Sequence, residues 1–444
     1  MDISILPKKR LTSSQLIILG FMSVILLGAL LLMLPVSVNS AEPASFSDAL
    51  FTSVSAVCVT GLVVHDTAVY WSQFGQLVIM LLIQIGGMGV ITVAASFALV
   101  SGRRISLMQR STMQEAISAP KVGGIVRLTS FIIKATLIIE LLGAVLMSPV
   151  FFRDFGTKGL WMSLFHSVSA FCNAGFDLMG IRAEFSSLTG YSAQPLINLT
   201  IMLLIITGGI GFLTWDDIRG NGFHFHRYRM QSKIILCTTS LLIILPAVYF
   251  YIFEFDGMKG DERLLASLFQ AVTPRTAGFN TVDMNRLSEP GQCITILLML
   301  IGGSPGSTAG GIKTTTIAVL LSSAVSTFHR QQNAHFFGRR IDDEVIKDAS
   351  TIMMLHVFLF FFGGLTISIA EDLPLLSCLF EAASAVGTVG LSLGITSCLG
   401  TASRIILMLL MFCGRVGGLT LIFAALSGVQ KQSSRFPLEK VIVG

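Results

Sequence analysis

Four short stretches of this 444-residue chain place uncharged residues and a glycine in an arrangement suited to offering main-chain oxygens to a cation. They read DALFTSVSAVCVTGL from Asp48, LWMSLFHSVSAFCNAGF from Leu160, LLASLFQAVTPRTAGF from Leu264 and LLSCLFEAASAVGTVGL from Leu375. Each carries Leu-Phe, a glycine nine or ten residues later, and then Leu or Phe. The glycines are Gly61, Gly175, Gly278 and Gly390, separated by 114, 103 and 112 residues. Four copies in phase identify an internal repeat. The residues ahead of the glycines are Val59-Thr60, Asn173-Ala174, Thr276-Ala277 and Thr388-Val389. None is charged, so an ion held there is held mainly by carbonyls, which can replace the hydration shell of a monovalent cation. A divalent-ion site would be expected to show carboxylates. Carbonyls presented in succession demand backbone angles that a Cβ penalises, which accounts for the glycines.

A second group lies between residues 292 and 325. Its middle reads Gly302-Gly303-Ser304-Pro305-Gly306-Ser307-Thr308-Ala309-Gly310-Gly311-Ile312-Lys313. A helix through the whole window would be roughly 51 Å long, against about 30 Å for a membrane core. Proline and five glycines cannot sustain it, so a break is expected below the four glycine stretches, where small polar residues make a movable obstruction. Gly306 and Gly311 have phosphate-loop spacing, but Lys313 falls one position late and no strand precedes it, so nucleotide binding is not expected.

The elements that must position these residues are membrane spans. The chain is 53% hydrophobic and 12% charged, about half the charge of an average soluble protein, with a mean hydropathy of +0.78. No polar stretch is long enough for a soluble domain. Eight windows reach the roughly 20 apolar residues of a span: 14–35, 75–99, 129–150, 195–215, 233–253, 292–325, 350–370 and 403–427. The first follows Lys8, Lys9 and Arg10 and precedes Ser40-Ala41. Its core is longer than a signal peptide's apolar region, so it is read as a retained span.

With the N-terminus inside, 19 Lys and Arg fall in cytoplasmic loops and termini, among them Arg103, Arg104, Lys121, Lys431, Arg435 and Lys440, and 7 fall outside. Both termini are therefore expected in the cytoplasm. The net charge of +5 is largely this topology signal, and basic residues form no nucleic-acid-binding face. Lys134, Arg275, Lys313 and Arg415 lie within or beside membrane-depth segments, where charge is costly and usually functional. Lys134 and Glu140 share one span and are expected to have a structural role, paired with each other or with neighbours. His224 and His226 are read as part of a solvated basic loop. Seven cysteines, at 58, 172, 237, 293, 378, 398 and 413, have neither CxxC nor zinc spacing and read as small hydrophobes.

The glycine stretches are too short to cross. From Asp48 to Cys58 a helix rises roughly 16 Å, so each must re-enter from the outside, and its non-helical end survives only where it lines a cavity. Asp48, Asp261, Glu262 and Asp372 mark the expected starts of three of these half-helices, where an anion suits the positive dipole end, and Pro374 suits the first turn of the fourth. The expected fold is all-α and membrane-embedded: four parallel units of span, half-helix and span around a pore. Their ranges are 1–125, 126–230, 231–347 (with the loop 302–313) and 348–444. Four half-helix C-termini would then aim at the axis, a cation site.

Thr388-Val389-Gly390 also repeats the core of potassium-channel filters. The four units, the glycine stretches and the interrupted helix together resemble the Trk/Ktr/HKT superfamily of potassium transporters over essentially the whole chain, most closely the membrane subunit of the bacterial Ktr system. The resemblance implies multi-pass residence in the bacterial plasma membrane, a homodimer with one pore per protomer, and docking on a cytosolic ring of nucleotide-binding regulatory subunits. It further implies potassium as the ion, because glycine occupies all four filter positions, where serine in the first accompanies sodium permeability. Sodium is a candidate coupling or activating ion, as in a symporter. A sodium-permeable or poorly selective cation channel is the alternative. Phe436-Pro437 and Gly444 match a tail that lies at the dimer interface. An arginine at the position of Arg415 faces the pore in the family, so Arg415 is expected to bond loop carbonyls in the closed state and to repel ions. Lys313 is read either as an anchor of the loop's cytoplasmic end or as an ordinary interface lysine. Pro274-Arg275 and the shorter spacing in the third unit depart from the pattern, and Arg275 is expected off the path's centre. No HExxH, GxSxG or carboxylate dyad points to an enzyme, and the uncharged filter argues against an organic solute.

Overall fold

The computed structural model describes residues 12–40, 42–94, 106–117, 123–425, 437 and 439. The basic residues at 8–10, Ala41, Arg103, Arg104, Lys121, Lys431, Arg435, Phe436, Lys440 and Gly444 lie outside the described residues.

One order of elements recurs four times. A long helix comes first: Ser13–Leu32, Ile125–Phe155, Met230–Tyr249 with a π turn to Glu254, and Asp343–Glu371. All four are long and apolar enough to cross a membrane. They leave leucines and isoleucines such as Leu27, Leu30, Ile138, Leu141 and Ile244 exposed, the surface expected of a helix whose solvent is lipid. A short helix follows: Phe46–Val57, Thr157–Phe171, Gly260–Val272 and Leu375–Gly387. At 12 to 15 residues these are half-spans. The phenylalanine of each Leu-Phe pair, Phe51, Phe165, Phe269 and Phe380, is fully buried, so the repeat signature is a core contact. Serines fasten two half-helices to their preceding spans: Ser53 Oγ donates to Ile25 O at 2.7 Å and Ser167 Oγ to Glu140 O at 2.5 Å. Gly28 and Gly143 leave the room those hydroxyls occupy.

Asp48, Asp261 and Glu262 stand in the first turns of their half-helices. Asp372 does not. It ends the preceding helix in a left-handed conformation, and Pro374 is the residue just ahead of the fourth half-helix rather than in its first turn.

The second spans are all interrupted, one of them where expected and three where continuous helices were expected. The window 292–325 splits into Glu289–Leu300 and Thr314–Phe328, as the glycine content requires. The windows 75–99, 195–215 and 403–427 break too. Gln73–Met88 stops at Gly89, with helical residues resuming at 90–94; Pro195–Gly209 stops ahead of Gly211, and Phe212–Asn221 leaves at 97°; Thr401–Val416 stops at Gly417 before Gly418–Ala425. The three break glycines share one conformation, with φ of 86°, 90° and 91° and ψ of 131°, 143° and 133°. Gly86, Gly208 and Gly414 just above them press on the carbonyls of Val57, Phe171 and Val386, in the last turns of the half-helices. Any side chain there would push the two elements apart.

Candidate ion-binding site and gate

Each half-helix ends in a strand of three residues with alternating backbone handedness. Val59, Asn173, Thr276 and Thr388 have φ of 57°, 58°, 68° and 52°, and Gly61, Gly175, Gly278 and Gly390 have φ of 92°, 70°, 80° and 93°. The residues between them, Thr60, Ala174, Ala277 and Val389, are not left-handed. A left-handed residue reverses the peptide plane, so alternation turns successive carbonyls toward one side. Glycine does this freely, but a β-branched residue at positive φ is an outlier costing on the order of 1–3 kcal/mol. Three of the four first positions carry that strain.

The strands close into a ring. The Cβ position of Gly61 is taken by Ala174 O, that of Gly175 by Ala277 O, that of Gly278 by Val389 O and that of Gly390 by Thr60 O. Each unit's glycine therefore accommodates the carbonyl of the next, and the fourth returns to the first. A hydroxyl near the end of every half-helix fixes its own strand. Ser55 Oγ accepts from Gly61 N at 3.1 Å and Ser384 Oγ from Gly390 N at 3.0 Å, while Ser169 Oγ donates to Phe176 O at 2.7 Å and Thr273 Oγ1 to Phe279 O. Main-chain bonds from Thr60, Ala174, Ala277 and Val389 return to the carbonyls of the same four residues at 2.8 to 3.0 Å. Sequence reasoning missed this clamp. Its signal was a Ser or Thr five or six residues ahead of each glycine.

The hydroxyls of Thr60, Thr276 and Thr388 are buried and have no hydrogen-bond partner among the described residues. Beyond the ring, a cavity of about 260 Å³ is lined by all four glycines together with Asp66, Asp177 and Asp283, and none of its lining residues is basic. Asp66 is committed to structure, accepting from the N–H groups of Ala68 and Phe185. Burial pushes the Asp177 carboxyl up to about 7; the N–H of Met179 opposes the shift and the Asp66 charge adds to it.

Residues 301–313 lie immediately behind the ring and are bonded to two neighbouring units. Ser304 N donates to Gly209 O at 2.9 Å, Thr308 N to Gly208 O at 3.2 Å, and Phe212 N to Gly306 O at 2.7 Å, all at the break of the second unit. Gly311 N donates to Gly414 O at 3.3 Å in the fourth. Thr308 Oγ1 lies 3.2 Å from the Asn173 side-chain amide and donates to Phe171 O at 3.0 Å, and Gly310 lies against the Thr388 side chain. The loop thus touches the base of two strands of the ring.

Arg415 joins the elements. Its guanidinium donates to Thr308 O in the loop and to Gly86 O and Gly87 O, the latter at 3.0 Å, at the first unit's break. One planar fork so reaches two elements that no short cation could bridge. Lys313 Nζ donates to Ala309 O at 2.7 Å and Gly310 O at 3.2 Å. A second cavity, also about 260 Å³, opens on the far side of the loop, lined by Gly306, Ser307, Lys313, His356 and Arg415 among others.

The remaining charges fall elsewhere. Arg275 is buried and reaches Thr239 Oγ1, on the first span of its unit, at 3.4 Å. Glu140 is buried and accepts from Gln84 Nε2 at 3.1 Å across the boundary of units one and two, whereas Lys134 is exposed and forms no ion pair with it. His224 and His226 are exposed.

The TrkH family, described as a cation transport protein, matches residues 7–434. The chain belongs to the TrkH family of cation transport proteins. Among relatives, the potassium/sodium uptake protein NtpJ of Enterococcus hirae is 39% identical over 452 residues, covering 98% of both chains. The Ktr system potassium uptake protein B of Bacillus subtilis is also 39% identical, covering 98% of this chain and 97% of its own. In structure the chain is similar to the potassium transporter TrkH of Vibrio parahaemolyticus, with a TM-score of 0.73 at 20% identity, over 94% of this chain and 86% of that one. The fold is accordingly the all-α membrane fold of that family, and the chain is a cation transporter rather than an enzyme.

Proposed function

We propose that the protein takes up potassium through a filter of backbone carbonyls at Val59-Thr60-Gly61, Asn173-Ala174-Gly175, Thr276-Ala277-Gly278 and Thr388-Val389-Gly390. The observation that carries the reading is the closed ring in which each glycine accommodates its neighbour's carbonyl. Neutral oxygens in a rigid ring suit a weakly hydrated monovalent ion. The carboxylates of the outer cavity raise the local cation concentration, and the unpartnered threonine hydroxyls are further oxygen ligands. The loop from Gly302 to Lys313, bonded by Arg415, is the gate in a closed arrangement.

The names of the Ktr relatives support potassium as substrate and a multi-component system. In this reading the partners are a cytosolic nucleotide-binding regulatory ring and a second copy of the chain, and the protein lies in the plasma membrane with both termini in the cytoplasm. Four span, half-helix and span units, divided near 125, 230 and 347, are the corresponding organisation. The name of NtpJ, a potassium/sodium uptake protein, favours a second reading in which sodium permeates or is co-transported.

Gly61→Ser separates the readings. A serine Cβ at φ +92° meets Ala174 O, so the substitution loosens the ring on one side. The expected result is rubidium uptake that persists but is competed by sodium about tenfold more effectively. It is measured with the chain and its regulator in a potassium-uptake-deficient bacterium at low potassium. Wild-type chain that inserts and pairs with its regulator yet supports no uptake would falsify the proposal, and unchanged selectivity in Gly61→Ser counts against the filter.

A further inference from the structure

The residue after Leu-Phe in each half-helix is polar and buried: Thr52, His166, Gln270 and Glu381. In three units its side chain reaches past the filter strand and holds a neighbouring segment. His166 Nδ1–H donates to Met162 O at 2.7 Å, which leaves Nε2 to accept from Leu178 N at 3.3 Å. Gln270 Nε2 reaches Thr295 Oγ1 at 3.4 Å and Met284 Sδ at 3.6 Å.

The fourth unit differs in charge. Glu381 is 0% exposed. One carboxylate oxygen accepts from Ser392 Oγ and the other from Thr396 Oγ1 at 2.9 Å, with the Leu393 N–H bonded to the same group. Ser392 and Thr396 line the outer cavity beside Gly390 and Leu391. Both carboxyl oxygens are thus bonded, by two hydroxyls and a main-chain N–H, and no basic side chain within 4.0 Å pairs with the group among the described residues. A buried carboxyl is costly unless its oxygens are hydrogen-bonded, and here both of them are bonded to the segment that follows the fourth filter glycine.

We propose that Glu381 is a positioning residue that fixes the exit of the fourth filter strand, and that this hold sets ion selectivity. The inference rests on the filter reading above. Glu381 acts through Ser392 and Thr396, not on the ion. Held at both ends, by Ser384 at Gly390 N and by Glu381 two residues later, the strand cannot widen to fit an ion of another size.

The test is rubidium uptake against sodium competition in liposomes containing the full chain with its regulator. The variants are Glu381→Met, Glu381→Gln and the pair Ser392→Ala with Thr396→Val. Glu381→Met is expected to lower discrimination about tenfold, the effect of losing one charged hydrogen-bond set. The hydroxyl pair reproduces it, and Glu381→Gln, which keeps the shape and one accepting oxygen, stays within about threefold of wild type. A merely structural role would lower yield and melting temperature without moving selectivity. Wild-type discrimination in Glu381→Met and in the hydroxyl pair overturns the inference while leaving the filter reading intact. If Glu381→Met does not assemble, the hydroxyl pair alone decides. A wild-type protein that does not discriminate overturns the filter reading itself.

Discussion

Gly390→Ala is expected to abolish rubidium uptake in a chain that still inserts in the membrane. Two penalties coincide at this residue. Its φ of +93° is outside what an L side chain readily adopts, a cost of roughly 1–2 kcal/mol, and a Cβ would overlap Thr60 O, with the Gly61 backbone close behind. The first penalty is local. The second displaces a carbonyl of the first unit, so an alanine in the fourth unit spoils a ligand supplied by another. Gly222→Ala isolates the first penalty, since Gly222 has φ +53° with nothing within 4 Å of its Cβ position, and its variant is expected to transport normally. Uptake assays on both variants, alongside membrane yield and thermal stability, check the comparison. If Gly390→Ala transports as well as Gly222→Ala, the ring is not the ion path.

Arg415→Ala is expected to raise flux in the absence of the regulatory partner by about tenfold and to weaken the response to that partner. Arg415 supplies the guanidinium bonds between the loop at Thr308 and the first unit's break at Gly86 and Gly87. Hydrogen bonds from a charged donor each contribute roughly 1.5–3 kcal/mol, and each 1.4 kcal/mol is a factor of about ten in population. Removing the cation also removes electrostatic repulsion of ions entering from the second cavity. The two effects act in the same direction. Arg415→Lys keeps the charge but loses the fork, so an intermediate flux is expected, because an ammonium can hold the loop or the break but not both. Flux through reconstituted protein without regulator checks the order Ala, Lys, wild type; equal fluxes would remove Arg415 from the gate.

Much of this arrangement was legible in the sequence because it is repeated. Leu-Phe recurs since Phe51, Phe165, Phe269 and Phe380 all seal the core, and glycine recurs since a neighbour's carbonyl leaves no room for a side chain. The break at 302–313 was legible from composition alone. The breaks at Gly89, Gly211 and Gly417 were not read, because a few glycines inside long apolar windows barely lower hydropathy. Their signal was the shared spacing of Gly86-Gly87-Met88-Gly89 and Gly208-Gly209-Ile210-Gly211, echoed by Gly414-Arg415-Val416-Gly417 with Arg415 in place of the second glycine. What decides them is tertiary, the approach of Gly86, Gly208 and Gly414 to half-helix carbonyls. The left-handed Val59, Thr276 and Thr388 run against their own propensity. The clamp from Ser55, Thr273 and Ser384 and the closure of the ring hold them there. Asp372 looked like a helix start because an acid preceded an apolar run, and it proved to end the helix before.

The proposed uptake of potassium rests above all on the carbonyl ring being where the ion sits. Diffraction from crystals grown in rubidium, with anomalous scattering recorded at the rubidium edge, tests this without reference to transport. Anomalous peaks are expected on the axis between the strands ending at Gly61, Gly175, Gly278 and Gly390, lost when rubidium is replaced by sodium. Peaks confined to the outer cavity carboxylates, with an empty ring, would contradict it.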